Sequence, residues 1–266
     1  MARRQETKVM RHWGRVTTAC AGLLMAASVS PFAAGASSLA VSPTALAFAP
    51  NEVAKGLVLH NRGNEAFRAQ VRVFVWDQPD GNDRLEPTDQ LVASPPFVTI
   101  PPGAQHFVRI VRRQAPSGGD SAEESYRLLV DELPASDEAP PPNAVRSAPS
   151  AGLRFLLRYS IPVFVNTPPA SHPELTWATA GMADDMLRFA VTNTSATRAQ
   201  IADVRVQSPD GSTVSTLDGL VGYVLPGVTR IWSIPWRSSA TTPAEISARI
   251  NGEPRDFRLS ARDPAD

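Results

Sequence analysis

Arg127 is the residue whose type and surroundings most suggest chemistry. It lies in Ser125-Tyr126-Arg127-Leu128-Leu129-Val130-Asp131-Glu132-Leu133-Pro134, among mostly apolar neighbours where an unpaired guanidinium is costly. Its planar fork of donors matches a carboxylate bidentately. It therefore reads in one of two ways: as an ion pair with Asp131 or an acid on an adjacent strand, or as the holder of an external anion such as a chain-terminal carboxylate. Arg109, Arg112 and Arg113 form a second basic cluster, whose simplest reading is a solvated face or structural ion pairs.

Catalytic sets are missing from the pattern. His60, His106 and His172 stand far from one another and from any cysteine in sequence, so the spacing of zinc ligands is absent. Asp80–Asp83 and Asp184-Asp185 could offer carboxylates to a metal, but acids in turn sequences are ordinarily solvated. No nucleophile elbow, phosphate-cradling loop or dinucleotide fingerprint occurs. The expectation is a protein without cofactor or metal, and not an enzyme.

Between Gly152 and Val165 the chain alternates. Leu153, Phe155, Leu157, Tyr159 and Ile161 occupy every second position, with Arg154 and Arg158 on the other parity. Side chains of a strand point to alternate faces, so this predicts one strand with an apolar row. Such a row is an aggregation hazard if left bare at a sheet edge. It is therefore either core or a surface meant for another chain. The tract before it, Pro134 to Ser150, contains five prolines, Pro134, Pro140, Pro141, Pro142 and Pro149. It is long for a loop within a domain, and suits a segment that orders when a partner arrives.

The elements that must position these residues read as strands throughout. Runs rich in Val, Ile, Phe, Trp and Thr are broken by Gly, Pro, Asn and Asp clusters, the signature of an all-β sandwich. The first set is Leu39–Phe48, Ala54–Asn61, Phe67–Asp77, Phe97–Ile100, Gln105–Arg112, Ser125–Leu133 and Leu153–Val165. The second is Leu175–Ala178, Met186–Asn193, Gln200–Gln207, Thr213–Leu217, Gly222–Val224, Thr229–Ile234, Ala244–Ile250 and Asp256–Leu259. Three prolines between Asn166 and Pro173 cannot continue a ladder, and mark a linker at residues 167–173. Two domains follow, 37–166 and 174–266. Trp76, Trp177, Trp232 and Trp236 read as core and domain-interface anchors, and the Asn193-Thr194-Ser195 sequon reads as a turn.

The N-terminus carries Arg3, Arg4, Lys8, Arg11 and Arg15 before an apolar run from Val16 to about Val29, then Ala34-Gly35-Ala36. This predicts a secretory signal peptide over residues 1–36, too short for a comfortable membrane span, and hence an exported protein without membrane insertion. The only cysteine, Cys20, lies in that segment, so the mature chain has neither a disulfide nor a thiolate site to hold it. The 26 Lys and Arg balance the 26 Asp and Glu over the whole chain. Losing the signal leaves a slight negative excess, which gives no reason to expect nucleic acid.

Several strings together carry a resemblance. Asn61 after an early strand, Ser94-Pro95-Pro96-Phe97 with Pro101-Pro102-Gly103-Ala104-Gln105-His106-Phe107-Val108-Arg109, the Tyr126–Pro134 string and Ile161-Pro162-Val163-Phe164-Val165 are similar to the periplasmic chaperones of chaperone–usher pili. The resemblance implies two immunoglobulin-like β-sandwich domains set at an angle, with a fimbrial subunit bound along the first domain's last strand, here 152–165. That strand is lent to an incomplete subunit, a use of strand addition general to this class, and Leu153, Phe155 and Leu157 fall where the donor residues fall. An outer-membrane usher is the further partner, and the location is periplasmic. Better-known members hold the subunit's terminal carboxylate with an Arg in the first strand and a Lys in the last; Ala45 and Pro162 stand at those places here. The Tyr126–Pro134 string looks instead like the archaic branch, which serves spore-coat-U-like subunits, with Arg127 as replacement anchor and Arg158 and Arg154 as reserves. An exported immunoglobulin-like adhesin or binding module using its loop tips is the alternative. Self-association of the free protein through its own strand edge stays open.

Overall fold

The alternating runs fold as strands in a computed structural model that describes residues 39–113, 123–134, 156–166, 172–236, 243 and 245–261. The first half supplies β1 (Leu39–Ser42), β2 (Leu46–Ala47), β3 (Ala54–Asn61), β4 (Phe67–Asp77), β5 (Arg84–Pro87), β6 (Leu91–Ser94), β7 (Phe97–Ile100), β8 (Gln105–Arg112), β9 (Glu124–Glu132) and β10 (Arg158–Val165). The second supplies β11 (Leu175–Ala183), β12 (Met186–Asn193), β13 (Ala199–Gln207), β14 (Thr213–Val224), β15 (Thr229–Pro235), β16 (Glu245–Ile250), β17 (Glu253–Arg258) and β18 (Ser260–Ala261). A single 3-10 turn, Pro79–Gly81, is the only helical piece among the described residues.

Two sheets belong to each half. One runs β1-β3-β8-β6 and its partner β2-β10-β9-β4-β5 with β7 also on β4; the later pair runs β15-β12-β11-β18 and β14-β13-β16-β17. Only β2 on β10 and β18 on β11 are parallel. The inward parity of each strand builds the core between its two sheets: Leu57, Leu59, Val71, Ile110, Leu128 and Val163 in the first, Leu187, Phe189, Ile201, Val206, Ile234 and Ile246 in the second. Each such side chain contributes about 1.5–3 kcal/mol of transfer free energy.

Differences from the sequence reading have local causes. Leu39–Phe48 is two strands in two different sheets, because Pro43 supplies no ladder donor and the chain crosses from one sheet to the other there. Thr213–Leu217 and Gly222–Val224 are one strand, β14, whose pairing with β13 shifts register near Asp203. Asp203 and Gly219 both have positive φ, and the Asp203 carboxylate accepts the Gly219 N–H at 2.7 Å. This polar bulge mimics a turn in sequence. Asp184 and Asp185 form the β11–β12 turn with positive φ.

One device recurs in both halves. Asn61, fully buried, donates its amide to the Glu65 and Ile100 carbonyls and accepts the Gly63 N–H. Asn193, also fully buried, donates to Thr197 and Val224 and accepts the Ser195 N–H. Each asparagine closes a strand-ending turn and ties it to a neighbouring segment, satisfying backbone groups that would otherwise be buried unpaired. The sequon is thus a buried turn.

Two parity breaks mark where the halves meet. On β4, Phe67, Ala69, Val71 and Val73 alternate inward, yet Trp76, of the opposite parity, is 2% exposed. On β10, Ile161, Val163 and Val165 enter the core, and Phe164 between them is also buried. Trp76 and Phe164 leave their own sandwich and pack with Tyr223 and Leu225 of the second one as a separate apolar cluster. Ring centroids lie 5.6 Å apart for Trp76–Tyr223 and Phe164–Tyr223, with the Trp76–Tyr223 pair edge-to-face.

Candidate functional site

Strand β10 is paired along its whole length on one side and only at one end on the other. Antiparallel β9 matches it from Arg158↔Asp131 to Val165↔Glu124, whereas β2 reaches only Val163 and Phe164. One main-chain bond more, from Phe48 N–H to Phe164 O, closes that end. Among the described residues, the main chain of Arg158, Ser160 and Pro162, in phase with Phe164, therefore presents an open edge on that side. Pro162 is tolerated within β10 for the same reason, since a proline fits a strand only where no partner needs its N–H.

The expected apolar row divides along this strand. Leu153 and Phe155 lie outside the described residues. Leu157 is half-buried, and its main chain bonds Glu132 through both the Glu132 N–H and the Glu132 carboxylate. Leu156, of the other parity, is exposed. Tyr159 and Ile161, both expected to face a partner, belong to their own sandwich: Ile161 is 5% exposed in its core, Tyr159 packs against it, and the Tyr159 hydroxyl donates to the Leu39 carbonyl at 2.8 Å. The described part of the row, Leu157, Tyr159 and Ile161, follows the alternation rule. The sandwich closes over its C-terminal end, so those side chains have an internal groove to fill.

Arg127 lies across from Pro162 on one side and Phe74 on the other. Its expected ion pair with Asp131 is not formed. Asp131 is two residues further along the same face and takes Arg72, at 2.6 Å, and Arg158 instead. Arg158 is thereby neutralised, and Arg154 lies outside the described residues. Arg127 instead lays its guanidinium on the Trp76 ring, 3.7 Å from the centroid, with Tyr223 at 5.7 Å. Among the described residues it has no hydrogen bond or ion pair. Burial lowers its pKa, an effect opposed by the nearby Asp83 charge; the group nevertheless stays cationic.

The surroundings of Arg127 come from both sandwiches. Asp83, between the 3-10 turn and β5, accepts at Oδ1 from the Trp76 indole at 3.0 Å, the Gln78 amide at 2.8 Å and Arg230 of β15 at 3.2 Å. Gln78, 4% exposed, also donates to Tyr223 O at 3.1 Å and accepts the Leu225 N–H at 3.0 Å. Beside this, the fully buried Glu123 carboxylate receives both the backbone N–H and the guanidinium of Arg198, which lies 3.9 Å above the Phe164 ring. A crevice of about 190 Å³ runs along the same junction, past Trp76, Glu123, Ser125 and Leu225. Sequence reasoning missed Gln78, Tyr223 and Arg230, and read Asp83 only as a turn acid, solvated or offered to a metal, where it bonds Trp76, Gln78 and Arg230. The parity of Trp76 was the only local signal for them, because their roles depend on which segments two separate sandwiches bring together.

Other candidates are placed more simply. Arg112 donates to Pro50 O and Arg113 pairs with Asp89, so two of that basic cluster's three members bond locally. Trp177 and Trp236 are buried in the second core, where Trp177 stacks on Phe189 and Phe257; Trp232 packs on its edge.

Comparison with known proteins follows this geometry. No curated protein matches the sequence. Among solved structures, the chain is similar to the CsuC–CsuE chaperone–tip adhesion subunit pre-assembly complex from archaic Csu pili of Acinetobacter baumannii, with a TM-score of 0.61 and 21% identity over 85% of this chain and 99% of that one. It is similar to the Salmonella enterica SafA pilin–SafB chaperone complex, at 0.55 and 18% over 84% and 96%. The Pseudomonas aeruginosa CupB2 chaperone matches at 0.53 and 18% over 83% and 100%. These likenesses establish the fold, two immunoglobulin-like sandwiches. The family profile described as the pili and flagellar-assembly chaperone, PapD N-terminal domain, matches residues 38–171, and by that match this chain is a member of the pili and flagellar-assembly chaperone family.

Proposed function

We propose that this protein is an exported, periplasmic assembly chaperone for fimbrial subunits of the archaic type, binding them by lending the strand that ends in β10 and passing them to an outer-membrane usher. The observation that carries the reading is the open edge at Arg158–Pro162, directly continuous with Leu153, Phe155 and Leu157. A subunit missing one strand leaves a hydrophobic groove and an unpaired ladder. The chaperone's backbone extends that sheet while alternate side chains fill the groove, each contributing about 2 kcal/mol of transfer free energy. Filling the groove also blocks premature subunit pairing.

Two likenesses support the reading: the neighbours from Acinetobacter and Salmonella are complexes of a chaperone with a tip adhesion subunit or a pilin, and the Tyr126–Pro134 string resembles the archaic branch. Arg127 is the anchor for the subunit's terminal carboxylate in this reading, since Arg158 is already committed to Asp131 and, among the described residues, Arg127 has a desolvated charge without a bonded acid. Replacing Phe155 with Asp tests the strand. Co-expressed subunit should no longer accumulate as a soluble one-to-one complex, while the variant chaperone purifies folded. Undiminished complex with Phe155→Asp would refute strand donation through this segment. Arg127→Ala should weaken the complex about tenfold or more; unchanged affinity with a lowered melting temperature would make Arg127 structural.

A further inference from the structure

Arg127 already has a carboxylate for a neighbour: Asp83 accepts the indole N–H of Trp76, the ring on which the Arg127 guanidinium lies. Asp83 is the described acid whose charge most offsets the desolvation of Arg127, and it bonds Arg230 directly. The second sandwich therefore supplies a cation to the same small region. Arg230 is largely buried, its side chain 19% exposed, and is fixed by its bonds to Asp83 and Tyr223 O and by its position 5.2 Å over the Trp232 ring. Asp83 differs in exposure. Its side chain is 46% exposed, and its residue belongs to neither the 3-10 turn nor β5. The two arginines lie over aromatic rings, and the acid between them sits on a short connection at the surface.

We propose that Asp83 is a resident competitor: its carboxylate partly satisfies the Arg127–Arg230 pair in the free chaperone and opposes, by like charge, the entry of a subunit's terminal carboxylate. The proposal rests on the reading of Arg127 as the carboxylate anchor. Its consequence is a moderated affinity, so that a chain end lacking the remaining strand contacts is not held by its charge alone. Arg230 is the second cation of that site, contributed by the domain that does not donate the strand.

Asp83→Asn tests it, because asparagine keeps an acceptor for Trp76, Gln78 and Arg230 while removing the charge. The probes are an N-acetylated hexapeptide of alternating valine and threonine with a free C-terminal carboxylate, and the same peptide as its carboxamide, titrated calorimetrically into the full mature chain. Asp83→Asn should bind the free-acid peptide about fivefold tighter than the wild type, with carboxamide binding unchanged. Arg230→Gln should lose most of the acid-over-amide preference. An acid-over-amide ratio that is the same in wild type and Asp83→Asn, or binding of neither peptide to either protein, overturns the proposal. The anchor reading is scored separately: if Arg127→Ala abolishes the acid preference while Asp83→Asn leaves it unaltered, the anchor stands and the competitor falls. If Arg127→Ala leaves it intact, both fall. Should the asparagine variant not fold, Asp83→Ser gives the same ranking.

Discussion

At the scale of single residues, charge placement decides what each arginine can do. Asp131 lies near the C-terminal end of β9 and is claimed from both neighbouring strands, by Arg72 on β4 and Arg158 on β10. Burial alone would raise its pKa, but the hydrogen bonds from the two guanidinium groups outweigh burial and hold it below the ordinary carboxylate value. A carboxyl group whose folded-state pKa is depressed contributes stability above its unfolded pKa, near 3.9, and loses it as pH falls through the folded value. Asp131→Asn should therefore cost about 1–2 kcal/mol at neutral pH and measurably less at pH 2. Denaturant melts at the two pH values measure this; an equal loss at both would mean that packing, and not charge, is what Asp131 supplies. Arg127, lacking such a partner, was legible as unusual from its apolar neighbours, yet its true contact, the Trp76 face, is far off in sequence.

At the scale of elements, the proposed function gives two tasks to one stretch of chain. From Ile161 onward the inward residues of β10 are core, and in that proposal Leu153, Phe155 and Leu157 fill the groove of another chain. Ile161→Ala should remove about 2–4 kcal/mol of the chaperone's own stability, while Leu157→Ala should cost under about 1 kcal/mol and reduce recovery of the subunit complex. Thermal melts of the free variants paired with co-purification of subunit separate the two. If Leu157→Ala matched Ile161→Ala in stability loss and left the complex intact, the division of the strand would be misplaced. The alternating period located this strand from sequence alone. It did not show where the row passes from partner to core, because the period is the same on both sides of that point and only the coverage by β2 and β1 changes.

At the scale of the whole molecule, the second sandwich is held to the first by a turn. Gly81, with φ +75, brings the Pro79–Gly81 turn against β15 so closely that a Cβ there would sit 2.7 Å from the Thr229 carbonyl oxygen. Glycine is required both by the backbone conformation and by that approach. Gln78 next to it bonds the main chain of Tyr223 and Leu225, two groups the contact buries. Gln78→Ala should leave the Leu225 N–H unsatisfied at about 1–3 kcal/mol, while Tyr223 O keeps its bond from Arg230, and Gly81→Val should force the turn off β15. Both variants should keep the strand content of the parent but show wider interdomain motion in solution scattering and a separate, earlier melting step for one sandwich. A single unshifted transition in both would mean that the Glu123–Arg198 pair and the Trp76–Phe164–Tyr223 cluster suffice to hold the halves.

Residue types and their order determined the class of this protein. Alternation at period two, broken by prolines and turn formers, marked an all-β protein, and a row of apolar side chains beside a proline-rich tract is the feature on which the proposed strand donation rests. Those features are local, so sequence contains them whole. Among the described residues, the tertiary structure decided which buried arginine lacks a bonded acid, where β10 turns into its own core and which acid neighbours Arg127. These depend on segments distant in sequence, 147 residues apart for Gln78 and Leu225 and for Asp83 and Arg230. Their meeting is set by the packing of two finished domains, and no periodicity within either one encodes it.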